Sequence, residues 1–323
     1  MAHFKVNNET KLPFHPLFLA DEQGQPIVTA LCTGSFAIAA PVVQLLENQP
    51  DPAWEGVYHG EPGVSSLRQE PDTAFTKPAT DVVLLGHARP AKPGDRSVDV
   101  GIKVGPVQKV ARVFVDRYWV KTGGTVLATK PSPFEQIPLV YERAFGGWDR
   151  AHKDEKTWKY DPRNPVGRGF GDPLRYVEEG KVPLPNIEDP NHLINRYGDS
   201  PAPAGFGFIS PEWQPRARYA GTYDEAWDRG RKPLLPKDFD LRFFSAASPG
   251  LVAPGYLTGD EEVVVVNAAP VPQLRFKLPG VAAPECAIEL RSGERRTLHT
   301  HLDTVIVDTD AMVLHLRWRA HTR

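Results

Sequence analysis

Proline sets the first limit on what this chain can fold into. A proline ring fixes φ and removes a backbone donor, so proline is excluded from helix interiors and from central strands. There are 33 prolines in 323 residues, about twice the usual ~5% share. The chain therefore cannot be mostly helix or mostly regular sheet. The excess is also localised, since 21 of the 33 prolines lie between Pro131 and Pro284. Residues 141–230 of this stretch carry 14 of the 31 aromatic residues, Trp148, Trp158, Trp213 and Trp227 among them. A disordered linker is proline-rich but poor in aromatics. The middle is therefore read as a folded layer of loops braced by rings, and long ordered loops tend to carry function.

On either side the pattern changes to short β-like runs divided by turn residues. Before residue 130 they fall at 4–7, 27–38, 82–88, 98–104, 107–115 and 118–121; after residue 260 they fall at 262–267, 274–278, 286–291, 297–307 and 312–319. Amphipathic helices between them, which a βαβ fold would need, are missing. The expected fold is mainly β: antiparallel sandwich or barrel-like sheets, a long proline- and aromatic-rich irregular middle and a few short helices. Three regions follow: 1–130, 131–260 and 261–323, with the last packing on the first in one compact unit. Asp308-Thr309-Asp310-Ala311 reads as a hairpin turn. Beyond it Met312, Leu314, Leu316 and Trp318 alternate with Val313, His315, Arg317 and Arg319, giving one apolar and one mostly polar face. Within the middle, Thr222-Tyr223-Asp224-Glu225 fits a capping box with Thr222 as N-cap, stopped by Gly230 and Pro233. A second short helix is expected over 238–247.

Charge and cysteine content narrow the function classes. The 38 Lys and Arg against 40 Asp and Glu argue against a nucleic-acid groove, which wants a basic excess. Cys32 and Cys286 have the spacing of neither a zinc site nor a disulfide scaffold, which fits a reducing cytoplasm. The start, Met1-Ala2-His3-Phe4-Lys5, has no apolar signal region. Positions 24–46 lack charge, but Pro26, Gly34 and Pro41 make them a buried strand rather than a membrane helix.

No constellation of reactive side chains stands out. His299, His301 and Asp303 would share one face of a strand as metal ligands, yet a fourth ligand is lacking and a polar strand face gives the same spacing. There is no G-x-S-x-G elbow. Asp224, Asp228, Asp238 and Asp240 near Trp213 and Trp227 could serve a glycosidase, although Asp224 in a first helical turn is simply dipole-favoured. Gly167-Arg168-Gly169-Phe170-Gly171 resembles an anion cradle in composition only; its glycines suit a tight turn.

A run of motifs in the middle carries a resemblance. Tyr141-Glu142-Arg143-Ala144-Phe145-Gly146-Gly147, Asn164-Pro165-Val166-Gly167-Arg168-Gly169-Phe170, Leu184-Pro185-Asn186-Ile187-Glu188, Pro203-Ala204-Gly205-Phe206-Gly207, Trp213-Gln214-Pro215-Arg216, the stretch 221–227 and the stretch 235–244 follow one another in order. Looser matches extend to Lys77-Pro78-Ala79-Thr80-Asp81 and Asp303-Thr304-Val305. The chain resembles a bacterial family labelled domain of unknown function 2169, associated with type VI secretion. Phe208 stands where that family has a proline, and Val115 where a glycine is commoner. The resemblance implies a cytoplasmic, non-enzymatic adaptor or chaperone that holds a secreted effector and assists its loading onto the VgrG spike through a PAAR-type tip, with no cofactor. Because interface hot spots favour Trp, Tyr and Arg, Arg168, Phe170, Trp213, Arg216, Tyr223 and Trp227 are the candidate partner-binding residues. The alternative is a carbohydrate-binding or carbohydrate-active protein using the same aromatics and carboxylates.

Overall fold

A computed structural model describes residues 11–171, 182–281, 284–289 and 293–322; the expected run at 4–7 lies outside them. The fold is mainly β, with several sheets and very few helices. The largest sheet has six strands, and its long strand Pro26–Ala39 is the hub. That strand pairs with Phe14–Ala20 on one side, with Val313–His321 on the other and with Val42–Leu45 along its last four residues. Its interior is buried on both faces, as its near-continuous run of β-formers requires. His301–Asp308 pairs with Val313–His321, and Asp81–Leu85 closes the sheet in parallel with His301–Asp308. The sheet is therefore mixed rather than purely antiparallel. Of the C-terminal strands, Val313–His321 joins the N-terminal strand edge to edge, while Glu262–Val266 and Gln273–Lys277 lie in the second sheet.

The second sheet has the order Ile187–Glu188, Val107–Phe114, Ser97–Val104, Glu262–Val266, Gln273–Lys277. It shows clean alternation: Val98, Val100, Ile102 and Val104 are buried while Ser97, Asp99 and Lys103 face water. These residues share one core cluster with Ala30, Cys32, Val82, Leu84, Val305, Leu316 and Trp318 of the first sheet. One apolar layer thus sits between two sheets, a sandwich arrangement.

The terminal hairpin departs from the sequence reading on one point. Arg317 and Arg319, read as part of a polar face, are 2% and 4% exposed. Loop residue Asp72 and strand residue Asp303 supply the countercharge: Arg317 Nε donates to Asp72 Oδ1 at 3.1 Å, and Arg319 pairs with Asp303 and reaches the Asp72 carbonyl. Beside them Lys77 Nζ donates to Asp81 Oδ2 at 2.7 Å and to Thr304 Oγ1 at 3.2 Å, so the outlying motifs at 77–81 and 303–305 meet in one buried ionic network. No helix among the described residues is long and apolar enough to cross a membrane.

Candidate functional site

The middle layer is built from two-residue strands, 3₁₀ turns and one short α-helix, the structure that its prolines and glycines impose. Side chains add many hydrogen bonds to the backbone bonds of its turns. Asn164, fully buried, donates from Nδ2 to the carbonyls of Tyr141 at 2.8 Å and Phe145 at 2.9 Å. Gly146 sits at φ +143°, where an added Cβ would stand 2.2 Å from the Asn164 carbonyl oxygen. The Tyr141 ring meets Trp213 edge-on at 5.7 Å, and its hydroxyl donates to Ser248 Oγ at 2.8 Å. Burial pushes the Tyr141 phenol well above its ordinary pKa. Asn186 donates to the Phe114 carbonyl and to Asp116 Oδ1, each at 3.0 Å. Glu188 accepts from Arg117 and, at 2.7 Å, from the Ile194 amide.

The six candidate residues divide by direction. Trp213 (2% exposed) and Arg216 (4%) point inward: Arg216 pairs with Glu70 and donates to the carbonyls of Ile209 and Phe243. These two brace the layer from within, and Arg216 also lines the groove described below. Arg168 is half-buried, its Nε on the Glu142 carbonyl at 3.0 Å, with burial and the neighbouring Arg143 lowering its pKa. Phe170 is half-buried beside a small cluster of Trp119, Phe145, Leu184 and Ile194. Tyr223 is 54% exposed and meets the half-buried Trp227 at 4.7 Å, while the Trp227 indole N–H donates to the Leu234 carbonyl at 2.8 Å.

The local helix also needs correction. It runs Glu225–Gly230 with Asp224 as N-cap, whose Oδ1 accepts from the Trp227 amide at 2.8 Å. Thr222 is drawn away by Asp238, to which its amide and hydroxyl both donate. The expected helix over 238–247 shrinks to a 3₁₀ turn, Leu241–Phe244, capped by Asp240. The four aspartates of the glycosidase reading each have a structural occupation: Asp224 caps, Asp238 holds Thr222, Asp228 pairs with Lys232 at 2.9 Å and Asp240 pairs with Arg242.

His299, His301 and Asp303 do not share a strand face. His299 ends the strand Arg295–His299 and His301 begins the next, separated by Thr300, whose hydroxyl donates to the Pro284 carbonyl at 2.6 Å. His299 pairs with Glu285 at 3.1 Å, His301 stacks on Tyr256 at 4.4 Å, and Asp303, at a break in register, turns inward to Arg319. All three border one cavity of about 590 Å³, but among the described residues no group of three His, Cys, Asp or Glu is placed to hold a metal ion.

One surface feature of the layer was not legible in the sequence. An open, largely apolar groove of about 410 Å³ runs between Ile209, Pro215, Ala247, Val252 and Pro254. Tyr219 and Arg242 stand on its wall, and the Tyr219 ring is flanked by the guanidinium carbons of Arg218 at 4.7 Å and Arg242 at 4.5 Å. Its lining comes from segments around 78, 209–219, 242–247 and 249–254, so no single stretch of sequence could have signalled it.

No curated protein and no solved structure matches the chain. Residues 23–319 match the family model described as an uncharacterized protein conserved in bacteria, DUF2169, and the chain belongs to that bacterial family.

Proposed function

We propose that this protein is a non-enzymatic adaptor that holds a type VI secretion effector and assists its loading onto the VgrG spike through a PAAR-type tip. The observation that carries the reading is the apolar groove on the layer formed by the middle motifs. It offers Val252, 37% exposed, within a proline-lined wall, while Tyr223, 54% exposed, stands elsewhere on the same layer. Apolar area with tyrosine and arginine nearby is the composition that protein interfaces use for their anchors. Family membership supports the same reading through the association that the resemblance implies.

The test is capture of the effector encoded beside this gene by the tagged full-length protein. Val252→Asp and Tyr223→Ala should each weaken capture about tenfold or more and leave the melting temperature nearly unchanged, because substitutions at exposed positions usually cost under about 0.5 kcal/mol. Undiminished capture by both variants, or capture lost only together with folding, would refute the assignment of binding to this layer.

A further inference from the structure

The cavity of about 590 Å³ plays no part in the partner surface of the middle layer. It opens where the loop carrying Lys77 and Thr76 and the hairpin strand Arg295–His299 meet the adjacent ends of His301–Asp308 and Val313–His321. His301 and Arg319 are direct partners in that sheet register. Its volume falls within the range of about 300–1,000 Å³ typical of small-molecule sites.

Basic side chains dominate the lining. Lys77, Arg296 and Arg319 supply charge, and His299, His301 and His321 supply ring nitrogens. Among the described residues Asp303 is the one carboxylate of the lining, and it is already engaged by Arg319. The carboxylates that pair with the other basic groups lie outside the lining: Asp81 on Lys77 at 2.7 Å, Glu294 on Arg296 at 2.7 Å and Glu285 on His299 at 3.1 Å. The lining therefore suits an anion and disfavours a cation.

The basic groups are of two kinds. Lys77 and Arg319 are buried, each side chain 3% exposed, and are held in place by their partners. An ammonium carries three donors, and the bonds from Lys77 Nζ to Asp81 and Thr304 use two of them. The buried Nε of Arg319 has no hydrogen-bond partner, a cost in free energy that added negative charge nearby would offset. Arg296 and His299 are exposed, and their ion pairs are of the solvent-screened kind that contributes little. Those pairs can give way to a more highly charged acceptor. His301 stacks on Tyr256 with the rings within 6° of parallel, which fixes the imidazole on the cavity wall.

We propose that this cavity binds a small multivalent oxyanion, a phosphate ester or a polycarboxylate, with Lys77 and Arg319 at its buried end and Arg296 and His299 at its exposed end. Arginine and lysine both recognise these groups, arginine through its planar fork. Arg296 and His299 belong to the hairpin and Arg319 to the main sheet, so the bound anion bridges the two and stabilises the folded protein by mass action.

The experiment titrates the full-length protein with pyrophosphate and, separately, with citrate by calorimetry, at an ionic strength held constant with chloride. At least one of them should bind with a Kd below about 1 mM, and the preferred one tells phosphate from carboxylate recognition. Arg296→Ala should weaken that binding about tenfold and His299→Ala about threefold, the losses expected for a charge-assisted and an ordinary hydrogen bond. Both positions are exposed, so folding should be retained. Arg112→Ala removes a cation of the second sheet that is outside the cavity lining, and it should leave the affinity unchanged. Binding of neither anion, undiminished binding in both cavity variants, or an equal loss in Arg112→Ala would each overturn the proposal.

Discussion

Arg216 gives the sharpest test of how the middle layer is held. Its guanidinium makes four contacts: to both oxygens of Glu70, to the Ile209 carbonyl at 2.9 Å and to the Phe243 carbonyl at 2.7 Å, with the Phe243 ring 4.9 Å from its central carbon. The Arg216 side chain is 4% exposed and that of Glu70 13%. Arg216→Met keeps most of the stem volume and removes the charge and every donor. Breaking a buried ion pair by deleting one partner costs about 3–5 kcal/mol. Partial solvent access at Glu70 places this case near the lower end, at about 3 kcal/mol. With a urea m-value of about 3 kcal/mol/M, the upper part of the range for small proteins, the unfolding midpoint should fall by about 1 M. The double variant Arg216→Met/Glu70→Leu removes both charges and should regain at least half of that loss, because most of the single-variant cost is the stranded carboxylate. The assay is equilibrium urea unfolding of the four proteins of the cycle. A shift below about 0.3 M for Arg216→Met, or a double variant no more stable than the single, would refute the bracing role.

Two further outcomes follow from the buried polar groups. Asn164→Ala strands the Phe145 carbonyl and leaves the Tyr141 carbonyl with the Ala144 amide alone, and should cost about 2 kcal/mol in urea unfolding; Asn164→Asp keeps the volume, still loses both donors, and should be no better. His315, held by burial and then by the Arg317 charge at a pKa of about 4, makes stability pH-dependent. Its unfolded pKa is higher, so the unfolded state takes up the extra proton between about pH 6.5 and 4. The contribution is complete above that window and falls as pH drops through it, by about 2 kcal/mol at pH 5; His315→Gln, measured by thermal unfolding at pH 7 and 5, should remove that part of the slope.

Sequence reasoning reached the fold where a period exists and failed where none does. The β-like runs at 98–104 and 262–267 coincide with strands, and alternation at 312–318 placed Leu314, Leu316 and Trp318 in the core, because a strand fixes which side chains share a face. In the middle layer Trp213 and Tyr223 occur in equally irregular stretches, and nothing local distinguishes the one that is 2% exposed from the one that is 54% exposed. The layer was recognisable as folded from its aromatics, but the direction of each ring depends on contacts such as Tyr141 with Trp213, seventy-two positions apart. The same limit explains Thr222: the capping spacing was present, yet Asp238, sixteen residues on, competed for its hydroxyl. Arg317 and Arg319 misled for a related reason, since a polar face is solvent-facing only if no distant loop covers it, and Asp72 sits in the loop that does.

This division of labour bears on what a partner can recognise. The stretches that carry the family resemblance hold many buried residues, including Tyr141, Asn164, Asn186, Glu188, Phe206, Trp213 and Arg216. Their hydrogen bonds shape the loops, and of these seven Arg216 also lines the groove. The exposed remainder, which a partner of the proposed kind would meet, includes Tyr223, the Arg218–Tyr219–Arg242 stack and Val252 on the groove. Framework and exposed residues are therefore interleaved along the chain, Tyr223 one position before its helix cap and Arg218 two positions after the buried Arg216. A loop-built layer permits this because each turn is fixed by its own buried side chain, leaving the adjacent position free to vary its chemistry without loss of the fold. Partner choice on such a scaffold would be set by single exposed positions and not by whole motifs.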